Sequence, residues 1–256
     1  MLRVLDLFSG IGGFSLGLER TGGFKTVAFC EIEPYCRAVL RKHWPDVPCF
    51  EDVRKLTAAD VGTIDVICGG FPCQDISSAG KRSGIAGEQS GLWKQYGRLI
   101  GELRPRFALV ENTSDLRARG FGVVLGDLAA IGYDAEWHCI PAFAIGAPIK
   151  SRDRIWILAV PNENRRNRTW LSTEKWPLVA DPAGNFRMRE NSRRAGAWWK
   201  CEPDMARVAH GVPSQLDRIA ALGNAVVPQI PEIIGRAILD ADSQIDGTRG
   251  PWRAHG

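Results

Sequence analysis

The stretch Arg3-Val4-Leu5-Asp6-Leu7-Phe8-Ser9-Gly10-Ile11-Gly12-Gly13-Phe14 decides the fold of this 256-residue chain. Arg3 to Phe8 has the apolar character of a buried strand, and Phe14 to Arg20 continues as a helix with its apolar residues on one face. Ser9 to Gly13 forms a glycine turn between them. Such a unit brings a ligand against backbone amides and a helix amino terminus. The turn alone is compatible with NAD, FAD, S-adenosylmethionine or tight packing.

Two acidic residues follow the next predicted strands. Thr26 to Cys30 predicts a strand that ends at Glu31, about 20 residues after the glycines, the spacing at which a carboxylate meets ribose hydroxyls. After a helix from Tyr35 to His43 and a short strand near Cys49-Phe50, Asp52 is placed to accept a hydrogen bond from an amino group such as that of adenine. A surface carboxylate at a strand end is the alternative interpretation of Glu31.

A cysteine follows the fourth predicted strand. Ile64 to Cys68 is a short apolar run, and it continues as Gly69-Gly70-Phe71-Pro72-Cys73-Gln74. Cys73 is therefore predicted where a strand ends and a loop begins, which is where reactive groups of α/β folds collect. A nucleophilic thiolate needs a partly exposed, electropositive setting, which Lys81 and Arg82 could supply. A cysteine packed like a small hydrophobic residue is the alternative.

The segment from Asp75 to Gly91 contains four glycines among polar residues, which predicts a mobile loop that acts as a lid. A helix from Leu92 to Leu103 follows. The next predicted strand, Phe107 to Val110, ends on Glu111-Asn112. If this strand neighbours the one before Cys73, the two side chains lie at the same edge of the sheet.

Two arginines precede the last strongly predicted strand. A helix from Phe121 to Ile131 and a strand from Ala135 to Cys139 lead towards the strand Ile155 to Val160. Alternation places Arg152 and Arg154 on one face, where two fork-shaped donors could bind one polar object. Salt bridges with surface carboxylates are the alternative.

The segment from Pro161 to Glu202 lacks periodicity and predicts a small irregular lobe. Its residues 161–200 contain nine bases against four acids, a surplus that exceeds the net charge of +4 of the whole chain. Four tryptophans lie among the arginines. This composition suits a polyanionic partner such as nucleic acid, because phosphate neutralisation and base stacking both stabilise binding. A solvated surface and a tryptophan core are the alternatives.

The chain then predicts a return to regular structure with Leu222 to Pro228 and a helix from Gln229 to about Asp240. We therefore divide the chain into four parts: a catalytic and cofactor-binding domain (1–160), a recognition lobe (161–205), a segment and helix that complete the domain (206–240), and a disordered tail (241–256).

Composition narrows the class of protein. Seven cysteines form no Cys-x-x-Cys pair, so we expect reduced thiols, no disulfide framework and no metal site. No 18-residue apolar span is present, and the amino terminus becomes charged too early for a signal peptide. A cytoplasmic protein without membrane contact is expected.

Five short blocks, taken together, resemble the cytosine-C5 DNA methyltransferase family of the short bacterial or phage type. They occur in the family's order: Asp6 to Gly13, Gly70 to Gln74, Glu111-Asn112, Arg152 to Arg154, and Gly223 to Pro228. The resemblance implies an α/β fold with a doubly wound, mostly parallel sheet that binds S-adenosylmethionine. It also implies a small target-recognition lobe and a last helix that returns to the cofactor domain.

The family's chemistry explains these residue types. The Cys73 thiolate would add to carbon 6 of a flipped-out cytosine, so that carbon 5 can attack the methyl group. Glu111 would act through N3 of the base, and Arg152 and Arg154 around O2. The loop Asp75 to Gly91 resembles the segment that closes behind the flipped base. The sequence does not identify the base that removes the carbon-5 proton.

Further roles are implied by the resemblance alone. Cofactor contacts fall on Phe8, Gly10, Gly12, Glu31, Asp52, Val53, Pro72, Asn224, Ala225 and Val226. DNA contacts fall on Gln74, Ser77, Gly80, Lys81, Arg82, Arg165 and Arg187. The implied partner is double-stranded DNA, and the implied enzyme is a monomer associated with the nucleoid. A cognate restriction endonuclease, if one exists, would act separately.

Two positions depart from the family's pattern. Lys150 replaces a glutamine two residues before Arg152, and Thr113 replaces a valine after Asn112.

Three rival functions remain. A transfer-RNA cytosine methyltransferase would carry a Cys-Phe-Thr triplet, which this chain lacks. An inactive DNA-binding relative would lack Cys73 or Glu111. A nicotinamide oxidoreductase would explain the first glycine turn but not the Pro-Cys-Gln and Glu-Asn blocks.

Overall fold

A seven-stranded sheet forms the centre of the computed structural model, which describes residues 1–72, 91–142, 153–164, 178–180, 186–188 and 225–248. The strands are β1 (Leu2–Leu7), β2 (Phe24–Cys30), β3 (Cys49–Phe50), β4 (Val66–Gly70), β5 (Phe107–Thr113), β6 (Tyr133–Pro141) and β7 (Asp153–Pro161). The helices are α1 (Gly13–Glu19), α2 (Pro34–His43), α3 (Ala58–Val61), α4 (Leu92–Leu103), α5 (Leu116–Arg119), α6 (Phe121–Ala130) and α7 (Gln229–Thr248).

The strand order is β3-β2-β1-β4-β5-β7-β6. β1 to β5 pair in parallel, and β7 runs antiparallel to both β5 and β6. The chain starts in the middle at β1, winds outwards to β3, and then winds to the other side from β4. This confirms the predicted doubly wound, mostly parallel sheet. It also confirms that β4 and β5 are neighbours, with Gly70 opposite Glu111.

Helices cover both faces of the sheet, because successive strand residues point to opposite sides. Leu5 and Leu7 of β1 belong to one buried cluster, which contains Trp93, Tyr96 and Leu99 of α4. Val4 belongs to the other, which contains Phe14 of α1 and Ile230, Ile234 and Ile238 of α7. The two faces of the sheet therefore contribute to two separate buried clusters.

The carboxyl-terminal helix corrects one prediction. α7 continues to Thr248, although the sequence predicted an end near Asp240 and a tail over 241–256. The tail assignment is wrong for 241–248, because Ala241 packs against a buried core cluster and Asp242 pairs with Arg106. Both contacts join residues distant in the sequence. Residues 249–256 lie outside the described part of the chain.

Little of the predicted recognition lobe is described. A 3₁₀ turn follows β7 at Asn162–Asn164, and β8 (Leu178–Ala180) pairs antiparallel with β9 (Phe186–Met188). The domain boundaries at 160 and 205 stay predictions. In the described ranges, no helix combines the length and the apolar character needed to cross a membrane.

Candidate cofactor and catalytic site

The glycine turn after β1 adopts backbone conformations that suit a close approach to a ligand. Phe8, Gly10 and Gly12 have φ angles of +52°, +53° and +86°. For Phe8 this left-handed conformation is strained, a feature that clusters at functional sites. Among the described residues, nothing lies within 4 Å of the point where a side chain on Gly10 would begin. The turn therefore offers open backbone at Gly10.

Two glycines in α1 bring the carboxyl-terminal block to this turn. A Cβ on Gly13 would lie 2.4 Å from the Val226 carbonyl oxygen, and one on Gly17 would lie 2.1 Å from the Pro228 carbonyl oxygen. Only glycine permits such contacts. The structure thus places Ala225 and Val226, predicted to contact the cofactor, beside the first glycine turn.

Glu31 is 7% exposed, and backbone amides bind both of its carboxylate oxygens. Oε2 accepts a hydrogen bond from the Gly10 amide at 2.7 Å, and Oε1 accepts one from the Glu33 amide at 2.8 Å. Glu31 therefore ties the loop after β2 to the turn after β1. Each carboxylate oxygen can accept a second hydrogen bond, such as one from a ribose hydroxyl.

A cleft of about 400 Å³ opens beside the loops that follow β2 and β3, and its walls include Ile32, Phe50, Glu51, Asp52 and Leu56. Ile32 is 61% exposed, which is unusual for a large aliphatic side chain and leaves an apolar surface for a flat ligand. The Asp52 carboxylate binds Arg54. Hydrogen bonds from the Arg54 side chain hold the pKa of Asp52 below its ordinary value. The sequence analysis missed Ile32, although an apolar residue between Glu31 and Glu33 was a usable signal.

Asp52 and Val53 occupy different surroundings. Asp52 Oδ1 accepts from the Arg54 amide at 3.0 Å and from its Nε at 2.9 Å, while Oδ2 accepts from Nη2 at 3.0 Å. Oδ2 therefore keeps one lone pair for a further donor. Val53 is buried and packs in the core beneath the cleft.

Two of the catalytic candidates, Glu111 and Arg154, meet where β5 ends and β7 begins. Arg154 Nε lies 2.8 Å from Glu111 Oε1, and the two side chains are 25% and 14% exposed. A Cβ on Gly70 would lie 2.4 Å from Glu111 Oε2. The absence of a side chain at Gly70 therefore lets the Glu111 carboxylate lie over β4, close to the point where the chain continues towards Cys73.

Asn112 holds the end of β4 in place. It is 2% exposed, and its Nδ2 donates to the Phe71 carbonyl oxygen at 3.0 Å. Its Oδ1 accepts from the Thr113 amide at 2.8 Å. Any residue except proline offers that amide, so the change from valine to Thr113 leaves this contact intact.

A small cavity connects the two groups of candidates. It is lined by Glu111, Arg154 and Trp156 from the sheet and by Ala225 and Val226 from the carboxyl-terminal block. Its volume of about 10 Å³ accommodates about one water molecule. The segment that contacts the glycine turn therefore also borders the Glu111–Arg154 pair.

Asp6 is a buried acid for which the sequence predicted no role of its own. It is fully buried, and its Oδ2 accepts from the Ser15 hydroxyl at 2.7 Å and from the Ser15 amide at 3.3 Å. Burial raises the pKa of Asp6 to about 8. Its Oδ1 has no hydrogen-bond partner in the described part of the chain. This environment favours the neutral form of the carboxyl group.

Several predicted residues lie outside the described ranges, and their roles stay predictions. They are Cys73, Gln74, Ser77, Gly80, Lys81, Arg82, Lys150, Arg152, Arg165 and Asn224. Arg187 lies in β9, but the structure does not describe its side chain. Within the described ranges, no group of three His, Cys, Asp or Glu side chains could hold a metal ion.

The fold is that of S-adenosylmethionine-dependent methyltransferases, with an antiparallel β7 inserted between β5 and β6. The solved structure of the methyltransferase EhMeth from Entamoeba histolytica superposes with a TM-score of 0.64 over 94% of this chain and 98% of that one, at 13% identity. At that identity the likeness concerns the fold alone. The model of the C-5 cytosine-specific DNA methylase family matches residues 2–195. The chain belongs to this family, which contradicts the interpretation as a nicotinamide oxidoreductase.

Curated relatives include bacterial and viral proteins. Type II methyltransferase M2.BsuMI of Bacillus subtilis (strain 168) is 32% identical over 206 residues, which cover 77% of this chain and 51% of the relative. Type II methyltransferase M.CviJI of Paramecium bursaria Chlorella virus IL3A is 37% identical over 62% of this chain and 43% of the relative. The chain thus spans about half the length of the curated relatives it matches.

Proposed function

We propose that this protein transfers a methyl group from S-adenosylmethionine to carbon 5 of a cytosine in a specific double-stranded DNA sequence. The observation that carries the proposal is the Glu111–Arg154 ion pair at the end of β5, beside the glycine that precedes Phe71-Pro72-Cys73. A carboxyl group and a guanidinium here face the edge of the sheet where a base would enter.

The residues at the glycine turn and cleft fit the cofactor. The open backbone at Gly10 and the carboxylate of Glu31 suit its methionine and ribose parts. Phe8 and Pro72 follow the neighbouring parallel strands β1 and β4 at the same edge of the sheet. The exposed Ile32 and the spare lone pair of Asp52 suit a flat adenine with an exocyclic amino group. When bound, the sulfonium supplies an activated methyl group.

The protein's own groups perform the remaining steps. The Cys73 thiolate adds to carbon 6 of the cytosine, while Glu111 gives a proton to N3, so that carbon 5 becomes nucleophilic. Arg154, together with Arg152, stabilises charge that develops around O2. After methyl transfer, loss of the carbon-5 proton to a base expels Cys73 as thiolate and returns the N3 proton to Glu111.

Access to the cytosine requires that it leave the stacked duplex. We assign the segment around Gln74, Ser77, Gly80, Lys81 and Arg82 to this step. The basic lobe 161–205, with Arg165 and Arg187, would contact the phosphates and read the target. A monomeric, cytoplasmic enzyme is proposed, with a cognate restriction endonuclease acting separately.

Methyl transfer from labelled S-adenosylmethionine to mixed duplex DNA tests this function. We expect label on cytosine carbon 5, located by sequencing, and its loss in Cys73→Ser. Cys139→Ser is the matched control, because Cys139 is a half-buried thiol on β6 and should leave the rate unchanged. Label on RNA but not on DNA would favour the RNA cytosine methyltransferase. Cofactor binding without transfer to either would indicate an inactive relative.

A further inference from the structure

Helix α4 contacts three separate segments of the site. The Tyr96 ring stacks on the Phe8 ring at a centroid distance of 6.3 Å, next to the glycine turn. The Trp93 ring lies 5.5 Å from the Phe71 ring, just before Pro72-Cys73. Arg98 reaches the loop that contains Asp52. The first two contacts are apolar and tolerate small shifts, whereas the third depends on directed hydrogen bonds.

Arg98 binds that loop with one edge of its guanidinium. Nη2 donates to the carbonyl oxygens of Val53 at 3.0 Å and Leu56 at 2.9 Å, residues 45 and 42 positions away in the sequence. Two α4 residues hold the other donors, since Nε binds Gln95 at 2.9 Å and Nη1 binds Glu102 at 2.8 Å. The guanidinium is therefore fixed on its own helix before it reaches the loop.

Arg98 adds a polar support from outside the loop to the apolar packing of Val53 and Leu56. The hydrogen bonds within the loop are local: the amides of Lys55 and Leu56 donate to the Asp52 carbonyl oxygen at 3.0 and 3.2 Å, and Arg54 binds the Asp52 carboxylate. An isolated turn is weakly stable because one or two hydrogen bonds compensate for the ordering of several residues. Arg98 joins this turn to a twelve-residue helix that is packed in the core.

We propose that Arg98 is a positioning residue for the adenine half of the cofactor, and that it acts by holding the loop 52–56 in the binding-competent conformation. The inference rests on the proposed function, because the adenine amino group is the donor assigned to Asp52. Lysine cannot replace Arg98, since a single ammonium cannot bind both loop carbonyls while it also binds Gln95 and Glu102.

The chain offers a matched control. Arg104 ends the same helix and likewise donates to a backbone carbonyl, that of Ile131, while its guanidinium lies over the Tyr133 ring at 4.9 Å. It directly follows the last residue of α4, six residues beyond Arg98, and supports the end of α6 rather than the cleft. Arg98→Lys and Arg104→Lys remove the same kind of interaction from one helix at two places.

Hydrogen exchange without ligand is the first measurement. In Arg98→Lys we expect faster exchange at the amides of Lys55 and Leu56, with no change at Ile131 and Gly132. Arg104→Lys should give the reverse pattern. Equal exchange of the loop amides in Arg98→Lys and the unaltered protein would overturn the proposal, and this result does not depend on any ligand.

Calorimetry of S-adenosylmethionine binding is the second measurement. If the competent loop falls to about a tenth of its population, the Kd for S-adenosylmethionine rises about tenfold in Arg98→Lys, while the KM for DNA does not change. The loss should shrink when Asp52→Asn is already present, because both changes act on one contact. Fully additive effects would contradict the positioning role. Failure of the unaltered protein to bind S-adenosylmethionine would instead contradict the proposed function.

Discussion

Glu31 and Glu111 are both carboxylates at the ends of parallel strands, yet their environments differ in kind. Glu31 is nearly buried, and two backbone amides from two loops bind its oxygens. Glu111 is more exposed and pairs with the side chain of Arg154. Backbone donors are fixed by the fold, whereas an arginine side chain can rotate towards another partner. Glu31 therefore fixes the relative position of two loops, whereas Glu111 is held by a side chain that can move.

This difference separates the two halves of the site. On the side of β1 to β3, charge is used to assemble loops around a cleft, and Asp52, Glu31 and Arg98 all bind main-chain atoms. On the side of β5 and β7, Glu111 and Arg154 form an ion pair that borders a small cavity. The first half should therefore respond to mutation through stability and cofactor affinity, and the second through the rate of the chemical step.

The largest effect is expected from Glu111→Gln. The amide keeps the size of the side chain and its place over Gly70 but removes the acid, so methyl transfer should slow by about 10²- to 10⁴-fold. The Kd for S-adenosylmethionine should not change. Single-turnover transfer of labelled methyl measures the rate. Glu232→Gln is the control, since its carboxylate also pairs with an arginine, the exposed Arg236 on α7, and should leave the rate unchanged. A rate near that of the unaltered protein would remove Glu111 from the mechanism.

Glu31→Gln should produce the opposite pattern. An amide group presents a donor to one of the two backbone amides, which leaves a buried donor unsatisfied at a cost of about 1–3 kcal/mol in the free energy of unfolding. The Kd for S-adenosylmethionine should rise, while turnover at saturating cofactor stays close to normal. Urea denaturation and calorimetry measure the two quantities. Unchanged stability together with lost turnover would mean that the roles of the two glutamates are reversed.

Asp6→Asn tests whether the buried carboxyl group of Asp6 makes the stability of the protein depend on pH. The folded pKa of about 8 lies above the ordinary value of 3.8, so the folded protein retains a proton that the unfolded chain has lost. Stability from this group is thus fully present below about pH 4 and falls by up to about 1.4 kcal/mol per pH unit until about pH 8. Asparagine cannot titrate, and the difference in unfolding free energy between the two proteins should follow this slope. A difference independent of pH would show that Asp6 is ionised in the folded state.

The smallest change in stability is expected from Arg154→Lys. Partly exposed ion pairs contribute about 0–1 kcal/mol, so the unfolding free energy should change by less than about 1 kcal/mol. Methyl transfer should nevertheless slow, because lysine lacks the fork that binds two acceptors. Thermal unfolding and steady-state rates provide the comparison. A large loss of stability with an unchanged rate would place Arg154 with Glu31 as a structural residue.

Local patterns in the sequence predicted the elements and the edge at which the site residues collect. The predicted helix Leu92 to Leu103 matches α4, and the predicted strands end near Glu31, Asp52 and Glu111 as the structure has them. The extension of α7 to Thr248 escaped prediction, because its contacts, such as the pairing of Asp242 with Arg106, join residues 136 positions apart. Helix periodicity carries no information about such a partner.

The roles of individual polar groups were less predictable. Nothing in the sequence singled out Arg98, and Asn112 appeared only as part of a motif. The tertiary structure pairs them with carbonyl oxygens more than 40 positions away. Asp6 belonged to a strand, but its raised pKa depends on the helices that bury it. None of these surroundings is encoded by neighbouring residues.

The sequence by itself determined the alternation of strands and helices, the glycine turn, the five family blocks and therefore the class of protein. These features depend on side-chain periodicity and backbone freedom, which are properties of short segments. Only the tertiary structure decided that Glu31 binds two loops, that Glu111 faces Arg154, and that Arg98 holds the loop beside Asp52. Hydrogen bonds require donor and acceptor within about 3 Å, and that proximity arises only when distant segments pack together.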